Sequence, residues 1–290
     1  MPHPPATESS TESSARLTLI ERSSQGVVLL LGAITAYAGR NIPFGIDGLA
    51  YMDVARAYLH LNWHTAINGY WGPLYSWLLA FGMWIFHPGM QGELILVHAL
   101  NYALFAAALI TFVRFWHALA AWSRSTHNDG VCLPDAAPVA WTLLGYLMFL
   151  VTFTWSLDDM TPDVLVATLV FAIAGQLFQL DGAEEAGSSG LAAYAWLGGL
   201  LAIGYYAKAI LLYFAVFILV ALLARSFRSS DLRQTDLPKK DLPKIDLHPK
   251  DFRKPITAAL VFLVLVSPFV TALSRTLGHF SAGDSIDVDA

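Results

Sequence analysis

The sequence predicts an all-α fold, a polytopic membrane helical bundle of about seven transmembrane helices plus one re-entrant or interfacial helix. Three observations lead there. Of 290 residues, 56% are apolar and only 13% are charged, about half the charge of an ordinary globular chain. Mean hydropathy is +0.53. Long uncharged stretches recur along the chain, and too little charge is available to cover a water-facing surface, so the bilayer is the natural solvent. The single cysteine, Cys132, excludes a disulfide framework or a cysteine metal cluster. A net charge of −5 gives no reason to expect nucleic acid as a partner.

Taken in order, residues 1–25 are rich in Ser, Thr and Glu and read as a disordered cytoplasmic tail. Residues 26–39 form an apolar run of 14, extendable past Arg40 if the guanidinium snorkels. The Ala36-Tyr37-Ala38 triplet mimics a signal-peptide cleavage site, but Glu21 and the long polar lead suit a signal peptide poorly. Residues 47–60 read as a short surface helix. Residues 73–86 give another 14-residue apolar run between Pro73 and His87, short for a span and so assigned as re-entrant or interfacial. Residues 94–113, 136–157, 164–180 and 256–274 have spanning length.

The region 191–224 holds 34 residues whose only charge is Lys208. One helix of that length would run about 51 Å, too long for a bilayer. Two helices turning near Gly204 to Lys208 fit, and the turn lifts the ammonium out of the hydrocarbon. Residues 226–255 repeat Asp-Leu with interrupting prolines and read as a low-complexity cytoplasmic linker. Residues 256–290 supply the last span and an outer tail. The loop 225–254 carries nine Lys or Arg, which places it in the cytoplasm. Counting from there, the loop 40–93, the stretch 157–163 and Lys208 all face outside.

That geography gathers Asp47, Asp53, Arg56, His60, His64, Trp71, Asp158, Asp159, Asp163 and Lys208 at one membrane surface, the composition of a binding or catalytic chamber. Simpler explanations apply to each. Asp47 stands where a helix N-cap would, and Asp53 pairs with Arg56 at i,i+3. Thr161-Pro162 is a helix-start signal that Asp163 complements. Lys208 is able to anchor a helical hairpin at the interface, and His98 and Asn101 to bond between helices. Trp63, Tyr70, Trp71 and Tyr75 form an interfacial aromatic girdle that is also suited to stacking on sugar rings. Three carboxylates in six residues, Asp158, Asp159 and Asp163, want a cation among them, which makes them candidate ligands for a divalent metal ion.

The order of these features resembles a known family. Asp47-Gly48-Leu49-Ala50-Tyr51-Met52-Asp53-Val54-Ala55 is similar to the D-x-x-x-Y-x-x-x-A signature of GT-C superfamily integral membrane glycosyltransferases. Gly69-Tyr70-Trp71-Gly72-Pro73-Leu74-Tyr75 resembles their Pro-Leu-Tyr helix start, and Thr161-Pro162-Asp163 their second outer-loop acid. Gly198-Gly199 through Ala207-Lys208 resembles their Gly-rich helix ending in Lys. The nearest in pattern are protein O-mannosyltransferase-like and aminoarabinose-transferase-like enzymes, over about residues 26–225. Family members usually continue further, whereas this chain stops 16 residues after residue 274, so it reads as a truncated member. Family members also often carry an acidic pair where Asp47 is followed by Gly48.

The resemblance implies transfer of a sugar from a polyprenyl-phosphate donor to a glycan, lipid or protein acceptor, at the outer face of a bacterial plasma membrane. Asp47 would be the general base and Asp163 the second catalytic acid, orienting substrate or holding a metal. Tyr51, Trp71, His64 and Lys208 would bind substrate, with Lys208 meeting the departing phosphate. The alternatives are a transporter or lipid flippase, which would line a path through the bundle, or a non-catalytic truncated relative.

Overall fold

A computed structural model describes residues 6–41, 45–126, 137–157, 159–185, 188–227 and 252–283. All regular structure among the described residues is helical: α1 (Ala6–Gly39), α2 (Ile46–Leu59), α3 (Trp63–Ala66), α4 (Pro73–Phe86), α5 (Met90–Thr126), α6 (Ala137–Phe153), a 3-10 turn (Trp155–Leu157), α7 (Asp163–Glu185), α8 (Leu191–Ala207), α9 (Leu211–Phe227) and α10 (Arg253–Leu277). Most of the linker reading at 226–255, together with Asp158, lies outside the described residues.

Four helices are long and apolar enough to cross a membrane, at Ala15–Gly39, Met90–Ser123, Asp163–Glu184 and Arg253–Leu277. Four more apolar helices, Pro73–Phe86, Pro138–Phe153, Leu191–Ala207 and Leu211–Ser226, are shorter. A 17-residue helix reaches about 26 Å against a hydrocarbon core of about 30 Å. The expected seven crossings therefore become four helices of spanning length and four short ones.

Two helices outrun their apolar runs. The helix α1 begins at Ala6, so residues 6–25 are helical where the sequence reads as a disordered tail. No Pro or Gly interrupts 6–25, and extending a nucleated helix costs little. Its polar part is also tied down: Glu21 meets His117 Nε2 at 2.5 Å, and Gln25 donates to the Tyr146 hydroxyl at 2.8 Å. The helix α5 continues 13 residues past Val113 to Thr126, because Arg114 and His117 end the apolar run without breaking the helix. The 191–224 region behaves as expected, with α8 ending at Ala207 and α9 starting at Leu211.

Two apolar cores meet along α7. One gathers Met52, Tyr75, Leu79, Phe105, Phe149, Leu157 and Val164 from α2, α4, α5, α6, the 3-10 turn and the start of α7. The other gathers Ile173, Leu197, Leu201, Ala215, Ala258 and Phe262 from α7 to α10. Lipid tails are as apolar as leucine, so helix association here depends on close packing, which small residues permit. Gly198 of α8 is the clearest case: a Cβ there would lie 2.3 Å from the Ala258 carbonyl oxygen of α10. Pro268 interrupts the ladder of α10, and the hydroxyl of Ser267 donates to the freed Val264 carbonyl at 3.3 Å.

The polar side chains form two layers at opposite ends of the bundle. At the far end, Arg225 pairs with Asp181 at 2.5 Å and Glu184 at 3.3 Å, and the Trp122 indole donates to Asp181 at 2.9 Å. At the same end, the ammonium of Lys254 donates to Ser189 at 2.6 Å. The helix α4 makes its contacts with α2, the first third of α5 and the end of α8: Tyr75 meets Asn101, Gly82 faces Leu96, and Trp77 lies 5.3 Å from Tyr206 ring to ring. At 14 residues it extends about 21 Å, and these partners keep it beside the candidate site.

Candidate functional site

The near end assembles from the starts of α2, α4 and α7 and the break between α8 and α9. The sequence dictates each of these ends. Gly45 caps α2 with an extended backbone (φ −67°, ψ 171°) and no side-chain hydrogen bond. The capping role expected of Asp47 is therefore not realised: it lies in the first turn, where its charge complements the helix dipole. Its carboxylate is exposed and, among the described residues, takes no hydrogen bond or ion pair. Pro73 opens α4 at its first turn, as the Gly72-Pro73 pair predicts.

Asp163 opens α7 and is held on both oxygens. Lys208 Nζ donates to Oδ1 at 3.1 Å, and the Thr161 hydroxyl donates to Oδ2 at 3.0 Å. Lys208 itself stands in extended backbone at the end of α8 (φ −158°, ψ 128°). This break carries the ammonium out of the apolar run to the acid of α7. Half of each side chain remains exposed (49% for Lys208, 55% for Asp163), so solvent screens the pair and its net contribution to stability is small.

Tyr51 lies within electrostatic reach of both acids. It is 3% exposed, and its ring meets Trp71 at 4.8 Å and Tyr75 at 5.3 Å, both edge to face. Burial pushes its phenol well above the ordinary range, and the charges of Asp163 and then Asp47 push it further. Two carboxylates from separate helices thus act on one hydroxyl, which is neutral at physiological pH and a hydrogen-bond donor. Trp71 is half-buried, stacked edge-on between Tyr51 and Tyr70, and its backbone N–H donates to Asn68 Oδ1 at 2.8 Å. Gly72 lets this loop lie against the end of α8, since a Cβ there would fall 2.4 Å from the Ala207 carbonyl oxygen.

Asp47, Tyr51, Trp71, Asp163 and Lys208 are therefore neighbours, contributed by four separate stretches of chain. His64 is not among them. It is exposed on α3, whose Trp63 packs on Tyr58 at the opposite end of α2, about 16 Å along the helix from Asp47. Asp159 is exposed and enters through its carbonyl, which accepts from Asn101 at 2.9 Å. Among the described residues no three His, Cys, Asp or Glu side chains come together as metal ligands, and both oxygens of Asp163 are already engaged. The described residues do not make a metal centre.

Several contributors were not foreseen. Arg56 makes the expected pair with Asp53 at 3.0 Å, and also reaches Glu93 of α5 at 2.6 Å, tying α2 to that helix. The Tyr205 hydroxyl donates to the Ala282 carbonyl at 3.0 Å, which folds the segment after α10 against the site. The partners lie 37 and 77 residues apart, beyond any local pattern. The fold and these apolar helices define the class, a helical membrane protein. No family model matches the chain, and neither a curated protein nor a solved structure matches it.

Proposed function

We propose that the chain is a membrane glycosyltransferase of the GT-C kind, moving a sugar from a polyprenyl-phosphate donor to an acceptor on the extracytoplasmic face. The observation that carries this reading is the meeting of an unpaired carboxylate, Asp47, with the Asp163–Lys208 pair around the Tyr51 phenol. Glycosyl transfer needs those parts. The acceptor hydroxyl attacks the anomeric carbon, the bond from that carbon to the phosphate oxygen breaks, and the acceptor proton passes to Asp47. The polyprenyl phosphate leaves with the bonding electrons, and the Lys208 ammonium meets its charge.

Asp163 holds Lys208 in place, and Trp71 with Tyr70 offers aromatic surface to a sugar ring. No step is assigned to a metal ion. The ionisable side chains stand at the two ends of the bundle, which favours surface chemistry over a transport path through the middle.

The test is sugar transfer from a polyprenyl-phosphate-linked donor by the reconstituted chain. Asp47→Asn should lower kcat by about 100-fold or more, the usual contribution of a general base. Undiminished transfer removes Asp47 from the chemistry. Absence of transfer by the native chain, with donor lipid moving across the liposome, would place it among transporters.

A further inference from the structure

We infer that Tyr75 and Asn101 form a buried clamp that fixes the spacing between the two acid-bearing elements of the site, which makes them positioning residues. The inference rests on the transferase reading only for its kinetic consequence. Tyr75 is 0% exposed and Asn101 2%. The Tyr75 hydroxyl donates to Asn101 Oδ1 at 2.7 Å. The amide nitrogen of Asn101 donates to the Asp159 carbonyl at 2.9 Å and, less closely, to the Leu157 carbonyl at 3.4 Å. Acceptor and donors of the amide are all used, and a satisfied buried network specifies one geometry.

The neighbouring residue acts in the other direction. Ser76, also 0% exposed, donates from its hydroxyl to the Tyr51 carbonyl at 3.1 Å. The first turn of α4 therefore holds α2, which carries Asp47 and Tyr51, on one side. Through Asn101 it holds the loop that ends in Thr161 and Asp163 on the other. The same turn is seated on the end of α8 by Gly72, which lies against the carbonyl of Ala207, the residue before Lys208. One helical turn is thus the common reference for all three charged groups.

The experiment uses the full chain in lipid nanodiscs with Cys132→Ser and spin labels on Leu49→Cys and Asp159→Cys, both at exposed positions. Pulsed electron paramagnetic resonance gives the distance distribution between α2 and the loop before α7. Tyr75→Phe, which keeps the ring, and Asn101→Ala should each widen it. The double variant should be no wider than Asn101→Ala alone, since Tyr75 acts through Asn101. Without the labels, both variants should lose kcat by about tenfold or more, with donor KM within about twofold, as misplacement of catalytic groups predicts.

An unchanged distribution in Tyr75→Phe overturns the clamp even if Asn101→Ala fails to fold, and widening with unchanged kcat in an active enzyme overturns the positioning role. If the native chain shows no transfer yet the distribution widens, the transferase reading fails and the clamp stands. An unchanged distribution in an active enzyme has the opposite meaning.

Discussion

Tyr51 reports the electrostatics of the site at the scale of single residues. Its phenol is raised by burial first, by Asp163 second and by Asp47 third. Because the folded value lies above the unfolded value of about 10, the protonated phenol contributes stability below that pH, and the contribution is lost as pH climbs through the folded value. Asp163→Asn removes a negative charge that disfavours phenolate, so Tyr51 should ionise at lower pH in that variant. Alkaline difference absorbance, with Tyr51→Phe as the blank, measures this, and an unmoved transition would separate Asp163 from Tyr51. The helix-end placement of Asp47, Asp163 and Lys208 was legible in the sequence because each borders or interrupts an apolar run. The role of Asn101 in the site was not. Its partners lie 26, 56 and 58 residues away, and no local pattern encodes such a distance.

Among the elements, the glycines of α8 separate packing from chemistry. The Gly198-Gly199 pair resembles a family signature, yet only Gly198 has a packing demand. Its absent Cβ leaves room for the Ala258 carbonyl, while a Cβ at Gly199 would meet nothing within 4 Å. Gly198→Ala should therefore destabilise the protein by about 1–3 kcal/mol through overpacking, and Gly199→Ala should be tolerated. Thermal unfolding in detergent compares them, and equal midpoints would argue against the close approach of α8 and α10. Helix boundaries set by chemistry, such as Pro73 for α4 and the Lys208 break after α8, were readable from sequence. The ends of α1 and α5 were not, because hydropathy marks where a helix suits lipid and is silent on how far it continues beyond.

For the whole molecule, the two polar layers are the strongest structural statement. Asp163 and Lys208 mark one end, and Asp181, Glu184 and Arg225 mark the other. The positive charge of the 225–254 loop predicts a cytoplasmic placement, and on that orientation a cysteine replacing exposed Asp159 should react with an impermeant reagent only from outside. One replacing exposed Ser188 should react only from the cytoplasm. Labelling both from the same side would break the two-layer arrangement, and the reversed pattern would invert the orientation. The class of the molecule was legible from composition alone. The number of crossings was not, since several apolar helices stop short of the hydrocarbon thickness and apolar length alone does not rank them. The seam between α8 and α10 has one more implication. Main chain rests there against a bare Cα, so the docking address of the last helix is written at a single glycine. The outward side of α10, which only has to be greasy, is left free to drift.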